Sequence, residues 1–469
     1  MKKNLLLYSP IMFGMSLTVC NANSTSTKQP NILLINIDDL GWTDLSCNGS
    51  KYYETPNIDR LKEAGIWFSQ AYAGASNSAP SRACMLTGLN TPRHGIYTVG
   101  TSERGKSENR KLIPIPNNEI LPDGIQILPK ILHDAGYQTF HVGKWHVTED
   151  PIPSGFDVNI GGNHSGHPKK YFSPYKNPNL ADGKDGEYLC DRLGNEASEL
   201  IKNADPDKPF FLYYATYAVH TPLQAKPELI SKYEQKESDN NHHNPKYAAL
   251  VQSMDENIGK VLKALKESGR EENTLIIFTT DNGGSFDISK QRPLRAGKGS
   301  FYEGGIRVPF IVYQKGVFEK DEISDVAISQ MDIFPTLMEY AGIESDGLIF
   351  DGKSLVSLLE NKKDKELNER PLFWHFPAYL ERGNSDTKDK YFRTRPVSVV
   401  RKGDWKLIEN YETNDYELYN LSEDLSEKHD LASSNKEKVN ELSSILNNWK
   451  KEVNAPIPTK INPEYKGEK

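Results

Sequence analysis

Apolar residues in this chain gather into short unbroken runs that end in turn formers. The clearest are "NILLINIDD", "QTFHVGKWHV", "PFFLYYATYAVH", "TLIIFTTDNGG" and "VPFIVY". A continuous apolar run bounded by polar residues suits a strand buried on both faces, as in a mostly parallel sheet. Between the runs the period changes to that of a helix. "TPNIDRLKEAG" offers Thr55 as N-cap, Pro56 at the first helical position and Gly65 past the end. In "YAALVQSMDENIGKVLKALKESG", Leu250, Val251, Met254, Ile258, Val261, Leu262 and Leu265 make one apolar stripe. Strand–helix alternation over residues 30–345 predicts an α/β domain, a large, mostly parallel sheet with helices on both faces.

From about residue 370 the pattern shifts to short strands with tight turns, "PLFWHF", "VSVVRKGDWKLIEN" and "DYELYNL", followed by the helical "NKEKVNELSSILNNWKKEV". This predicts a small antiparallel C-terminal sheet with one helix over 369–469, after an α/β domain spanning 24–368. Segments 100–125 and 150–190 are long and rich in Pro, Gly and Asn. Connections of that length serve a binding site or move.

The first 23 residues read as a secretory signal: Lys2 and Lys3, an apolar stretch broken by Pro10, then a small polar segment. Cys20 ends the apolar run and is a candidate lipid-attachment site, although Val19 is a poor match to the small residue such signals carry. The expected location is outside the cytoplasm, periplasmic or outer-membrane-associated in a Gram-negative cell. The other cysteines, Cys47, Cys84 and Cys190, match no zinc spacing and read as buried thiols. A net charge of −7 argues against nucleic-acid binding through a broad basic surface. An anionic ligand would need local positive charge.

In open α/β sheets, ligands sit beyond the carboxyl ends of the strands. There the chain places Asp38 and Asp39 after "NILLINI", and Asp281 and Asn282 after "TLIIFTT". Each pair alone is an ordinary turn former. Together they supply oxygen donors suited to Ca²⁺ or Mg²⁺. Positive groups accompany them. Lys144 and His146, two apart, share a face if the backbone is extended; His220 ends another strand, and Lys298 sits in the glycine-rich "RAGKGSFYEGG". As a set they suit a compact anion whose leaving group needs a proton. In "NSAPSRACMLTG", Pro80 fits the first turn of a helix running to Gly88. Ser78 then stands at its N-terminus, where an anion is favoured, with Arg82 one turn on.

At these residues the chain resembles the type I sulfatases of the alkaline phosphatase superfamily. Their signature is Cys or Ser, any residue, Pro, Ser or Ala, Arg, then a short run to Thr-Gly. Here it is Ser78-Ala79-Pro80-Ser81-Arg82, closing at Thr87-Gly88. Further matches, such as "TPRHGIYT", "HTPLQA" and "GKGSFYEGGIRVPFIV", extend the resemblance over nearly all of the chain after the signal segment.

The resemblance implies that residue 78 is oxidised to Cα-formylglycine, whose hydrate attacks sulfur. It implies Ca²⁺ on Asp38, Asp39, Asp281, Asn282 and the residue-78 side chain, with Mg²⁺ as the alternative. It also implies roles for the cations. Arg82 and Lys144 stabilise the diol, His146 assists its regeneration, Lys298 and His220 contact the sulfate, and His220 protonates the leaving alcohol. A serine rather than a cysteine at 78 resembles the subgroup matured by a radical-type partner enzyme. The segment "GGNHSGHPKKYFSPYKNPNLADGKDGEYLCDRL" looks similar to exo-acting carbohydrate sulfatases, with a lean toward sulfated galactose or N-acetylgalactosamine at O4. The expected specificity residues are Arg104, His164, His167, Lys169, His375, Arg393 and Arg395. Two rivals share the fold. One is a phosphoester hydrolase using unmodified Ser78; the other is a non-catalytic glycan-binding protein, which would be expected to lack some of these cations.

Overall fold

The computed structural model describes residues 29–467 except 240, 319–320 and 361. The signal segment and Cys20 therefore lie outside the described residues. Eight strands form the main sheet, in the order Val158–Ile160, Gln138–Gly143, Phe210–Ala215, Asn31–Ile37, Thr274–Thr280, Phe310–Tyr313, Ile66–Phe68, Glu322–Ser324. All neighbours are parallel except where Phe310–Tyr313 runs against both of its partners.

Side-chain alternation along the strands builds two cores. From the central strand, Leu33, Ile35 and Ile37 enter one, with Leu250, Met254 and Ile258 of the helix Pro245–Glu267. Ile32 and Leu34 enter the other, with Ala83 and Leu86 of the helix Ser78–Thr87 and Phe334 and Leu337 of Ile333–Tyr340. Burial on both faces is why these strands lack a polar alternation.

Helix Pro56–Ala64 forms as expected, but Thr55 does not cap it through its side chain. The Thr55 hydroxyl donates to Asp59 instead. The free N–H groups of Asn57 and Ile58 are met by the carboxylate of Asp255, on the long helix. A tertiary contact thus replaces the local cap.

Four antiparallel strands, Leu372–Phe376, Val397–Lys402, Trp405–Asn410 and Asp415–Asn420, make the C-terminal sheet. Helix Lys436–Glu452 covers one face through Leu442, Leu446 and Trp449. The other face packs Trp374, Val399 and Ile408 on Tyr72, Phe301 and Ile306 of the α/β domain. This docking is also ionic: the buried Lys406 ammonium lies 3.0 Å from Glu303 and 2.8 Å from Glu427. Glu303 stands five residues beyond Lys298, so the C-terminal sheet buttresses the loop that carries that lysine.

Candidate active site

The site assembles at the carboxyl ends of the two central strands. Asp38 and Asp39 follow Asn31–Ile37, and Asp281 and Asn282 follow Thr274–Thr280. Asp39 has φ of +66°, a left-handed turn that aspartate tolerates better than most residues. Its backbone N–H donates to Asp281 Oδ1 at 3.2 Å, and its Oδ1 accepts from Asn282 Nδ2 at 2.9 Å. The two strand ends are thereby joined.

Ser78 is the first residue of the helix Ser78–Thr87, after Asn77 at the N-cap. The helix stops at Gly88, whose φ of +70° suits glycine and where a Cβ would meet Phe350. Every residue of this helix is buried. The Ser78 hydroxyl lies 3.4 Å from Asp38 Oδ1 and 3.3 Å from Asn282 Oδ1.

Three cations face the three carboxylates. Lys144 Nζ is 2.7 Å from Asp38 Oδ1 and 3.8 Å from Asp281, Arg82 Nε is 2.8 Å from Asp281 Oδ2, and Lys298 Nζ is 2.6 Å from Asp39 Oδ1. His220 Nε2 lies 3.6 Å from Asp39, while its Nδ1 sits 2.8 Å from the Thr221 carbonyl oxygen, which holds a proton on Nδ1. The strand carrying "TFHVGKWHV" ends at Gly143, earlier than the sequence suggested. A Cβ there would lie 1.9 Å from the Ala215 carbonyl oxygen. His146 then takes φ of +64°, so the extended two-residue spacing to Lys144 does not hold. Turn geometry, not strand alternation, delivers the two side chains.

Burial raises Asp38 to about 7, against the pull of Lys144. Burial acts in the same direction on Asp39, but Lys298 and His220 outweigh it and hold that carboxyl below its usual range. Burial lowers His220 to about 4, opposed by Asp39, and pushes His146 well below its ordinary value, reinforced by Lys144 and Arg82. These are the charges of the protein alone.

Asp39, Asn77, Ser78, His146, His220 and Lys298 line a cavity of about 600 Å³. Arg82 and Lys144 lie beneath it, fully buried. Arg104, His167 and Arg393 line it too. Arg104 is held by both oxygens of Glu381, and Arg393 Nη1 donates to the Lys298 carbonyl.

The other four residues expected to set specificity do not line this cavity. His375 is buried inside the C-terminal sheet between Ser398 Oγ and the Pro456 carbonyl, and does not line the cavity. Arg395 pairs with Asp389 and Glu412 and lines a separate cavity. Lys169 faces a neighbouring small cavity. His164 packs edge-on against His146, ring centres 5.8 Å apart, and supports that ring instead of lining the cavity. Strand alternation places His375 inward, and no charge pattern in the sequence reveals the partner of Arg395. Sequence reasoning also missed Asp287, Glu381 and Arg382 on the cavity wall. Asp287 lies six residues after Asp281 and was within reach of the motif; Glu381 and Arg382 carry no signal. Cys47, Cys84 and Cys190 are all free, and burial raises the Cys84 thiol.

A family model described as Sulfatase matches residues 30–343. The chain belongs to the sulfatase family. It is a sulfuric ester hydrolase. A second model, N-sulphoglucosamine sulphohydrolase, C-terminal, matches residues 297–454. A sulfatase of Formosa agariphila is 33% identical, over 95% of this chain and 94% of its own length. The N-acetylgalactosamine-6-sulfatase of Homo sapiens is 32% identical, over 75% and 69%. Among solved structures, Ps i-CgsB in complex with k-i-k-neocarrahexaose is 30% identical, with a TM-score of 0.72 over 90% of this chain and 93% of that one. BT4656, solved with its substrate D-Glucosamine-2-N, 6-O-disulfate, has a TM-score of 0.73 over 92% and 99%; at 22% identity it speaks for fold alone.

Sulfatases generally use a metal ion and formylglycine, and the residues present fit both. Asp38 Oδ2 and Arg82 Nη2 are buried without a hydrogen-bond partner among the described residues. Ligand atoms of Asp38, Asp39 and His220 lie within 4.8 Å of one another. Asp38, Asp39, Asp281, Asn282 and Ser78 offer oxygen donors, the set that hard divalent ions take.

Proposed function

We propose that this chain removes sulfate from a sulfated sugar, with residue 78 as the nucleophilic position and Ca²⁺ as the bound ion. The observation that carries the reading is the convergence of Arg82, Lys144 and Lys298 with Asp38, Asp39 and Asp281 around one buried serine. When bound, the ion would polarise a sulfate oxygen and the nucleophile.

The rest is the work of this chain's residues. Three carboxylates, when all are ionised, balance the three fixed cations before a divalent ion binds. With the ion the cluster is net positive, the sign that holds a sulfate ester. Lys298 and His220 stand at the cavity surface and would grip the ester oxygens. Arg82 and Lys144, held from below, would face the side chain of residue 78. His220 Nε2 carries a proton only in the doubly protonated ring, because Nδ1 already donates to Thr221. A proton for the leaving alcohol would therefore come from imidazolium, a form that the neighbouring Asp39 carboxylate favours but that burial opposes, lowering the ring to about 4 in the protein alone. Fixed charges in a water-poor pocket need no reorganisation as charge develops.

The substrate class we propose is a galactose- or N-acetylgalactosamine-type sugar sulfate. The mammalian relatives are named for the 6-sulfate, and the run 171–189 resembles enzymes of sulfated galactose or N-acetylgalactosamine with a lean toward O4, so both esters belong in the test. The ester group enters a cavity walled by both parts of the chain, including Glu381 and Arg393. Serine at 78 points to conversion to formylglycine by a serine-type maturase. The test is sulfate release from defined 4- and 6-sulfated mono- and disaccharides by matured enzyme, beside 4-nitrophenyl sulfate and 4-nitrophenyl phosphate. Turnover of at least one sugar sulfate, with sulfate far above phosphate, is expected. Phosphate hydrolysis alone would favour the phosphoester rival, and no turnover of any ester would favour the binding-protein rival.

A further inference from the structure

Beside the catalytic cavity lies a smaller one of about 110 Å³, and His167 lines both. Lys169, Lys170 and Lys176 surround it, with Asn163, Tyr175 and Asn177, and no carboxylate is among its lining residues. In a chain of net charge −7, most lysines near an acid are paired, as Lys226 is with Asp191 and Lys232 with Glu54. These three side chains make no ion pair or hydrogen bond among the described residues.

The segment bearing them is firmly held. The Tyr171 hydroxyl lies 2.7 Å from the Tyr217 carbonyl oxygen and 2.8 Å from that of His220. Asn177 Nδ2 donates to the Gly161 carbonyl at 2.9 Å, and Asn177 Oδ1 accepts from Asn163 Nδ2 at 3.3 Å. The His167 ring stacks over His220 at 5.9 Å between centres. A fixed loop with three unpaired ammonium groups is thus tied to the backbone of the residue that meets the leaving group.

We infer that this cavity is a second anion subsite, which receives a negatively charged group, sulfate ester or carboxylate, on the sugar next to the one being desulfated. The inference rests on the carbohydrate sulfatase reading above. The leaving alcohol is part of the glycan, so a neighbouring sugar extends from His220 toward His167 and the lysines. One exposed lysine contributes little. Three around one small cavity concentrate the field on a single group.

The experiment compares disaccharides that share the sulfated sugar but differ in the neighbour: neutral, uronic acid, or sulfated. The enzymes are wild type, the Lys169→Ala/Lys170→Ala/Lys176→Ala triple variant, the corresponding triple arginine variant, and Lys263→Ala as an exposed control. KM is expected to be about tenfold lower for an anionic neighbour than a neutral one, the scale of one charge-assisted contact. The alanine triple should erase that advantage with kcat and the neutral disaccharide unchanged, and the arginine triple should restore most of it. The uronic and sulfated arms separate carboxylate from sulfate as the group taken. Equal loss on neutral and anionic substrates, or an undiminished preference in the alanine triple, would overturn the subsite.

Binding to Ser78→Ala enzyme by calorimetry separates this claim from the sulfatase reading. Charge-selective binding that the alanine triple abolishes supports the subsite even if no sugar is turned over. Turnover without charge-selective binding overturns the subsite and leaves the sulfatase reading standing.

Discussion

The Lys144 ammonium lies 2.7 Å from Asp38 Oδ1, and neither side chain has any exposure to solvent. Taking two charges out of water is expensive, and their attraction repays it only when the remaining bonding capacity is used. Here it is not all used, since Asp38 Oδ2 has no partner among the described residues. The pair is therefore better explained as part of a charged site than as a device for stability.

Replacing Lys144 by Met removes the cation that faces Asp38 and the side chain of residue 78. Loss of a fixed donor of this kind costs roughly 10²- to 10³-fold in kcat. Lys144→Arg should not restore the rate, because a planar fork cannot take the place of a compact ammonium in a filled pocket. Steady-state kinetics on 4-nitrophenyl sulfate reads both effects.

Removal of the metal gives a second prediction. Dialysis against a chelator should abolish sulfate release, and Ca²⁺ should restore it. The apo protein should also melt earlier, since an ion at 100 times its Kd stabilises by about 2.7 kcal/mol. Differential scanning calorimetry with and without Ca²⁺ checks this, and an unchanged melting temperature would count against a structural role for the ion.

The corrected placements lead to a third. Arg393→Ala and Arg104→Ala should raise KM for a sugar sulfate several-fold, because both side chains line the catalytic cavity. Conservative changes at His375 or Arg395, away from that cavity, should leave KM within about twofold while altering stability. A Michaelis–Menten comparison of the four variants on one sugar sulfate decides it.

Much of this arrangement was legible in the sequence for a physical reason. Strands buried on both faces must be apolar throughout, so Asn31–Ile37 and Thr274–Thr280 stand out, and charge at their ends is conspicuous. The serine motif was legible because proline and glycine mark the limits of its helix. What failed was anything set by tertiary contact. Thr55 yields its capping role to Asp255, 200 residues away. His146 turns off the strand after Gly143. His375 looks like a polar residue available for binding, but the sheet buries it against Ser398. Glu381 and Arg382 join the cavity wall only because the C-terminal sheet docks there.

Buried histidines outside the chemistry set a fourth expectation, on stability. Burial lowers His94 to about 3, and His141 and His375 to about 4. Each is then neutral in the folded chain, whereas the unfolded chain takes up a proton near pH 6.5. The unfolded state binds more protons in this window, so stability rises with pH across it and falls as pH drops from 6.5 toward 4. The loss is about 2 kcal/mol per histidine between pH 6.5 and 4.5 as an order of magnitude. Urea melts at stepped pH should show this slope, and His375→Asn should flatten it by one histidine's share.

The most direct test of the central claim joins two readings on one preparation: the mass of the peptide containing residue 78 and the rate of sulfate release in Ca²⁺. Protein made with and without a serine-type maturase supplies a range of conversion. The expected result is a rate proportional to the fraction of chains lighter by two hydrogens at residue 78. Full activity from protein in which every residue 78 is unmodified serine would contradict it.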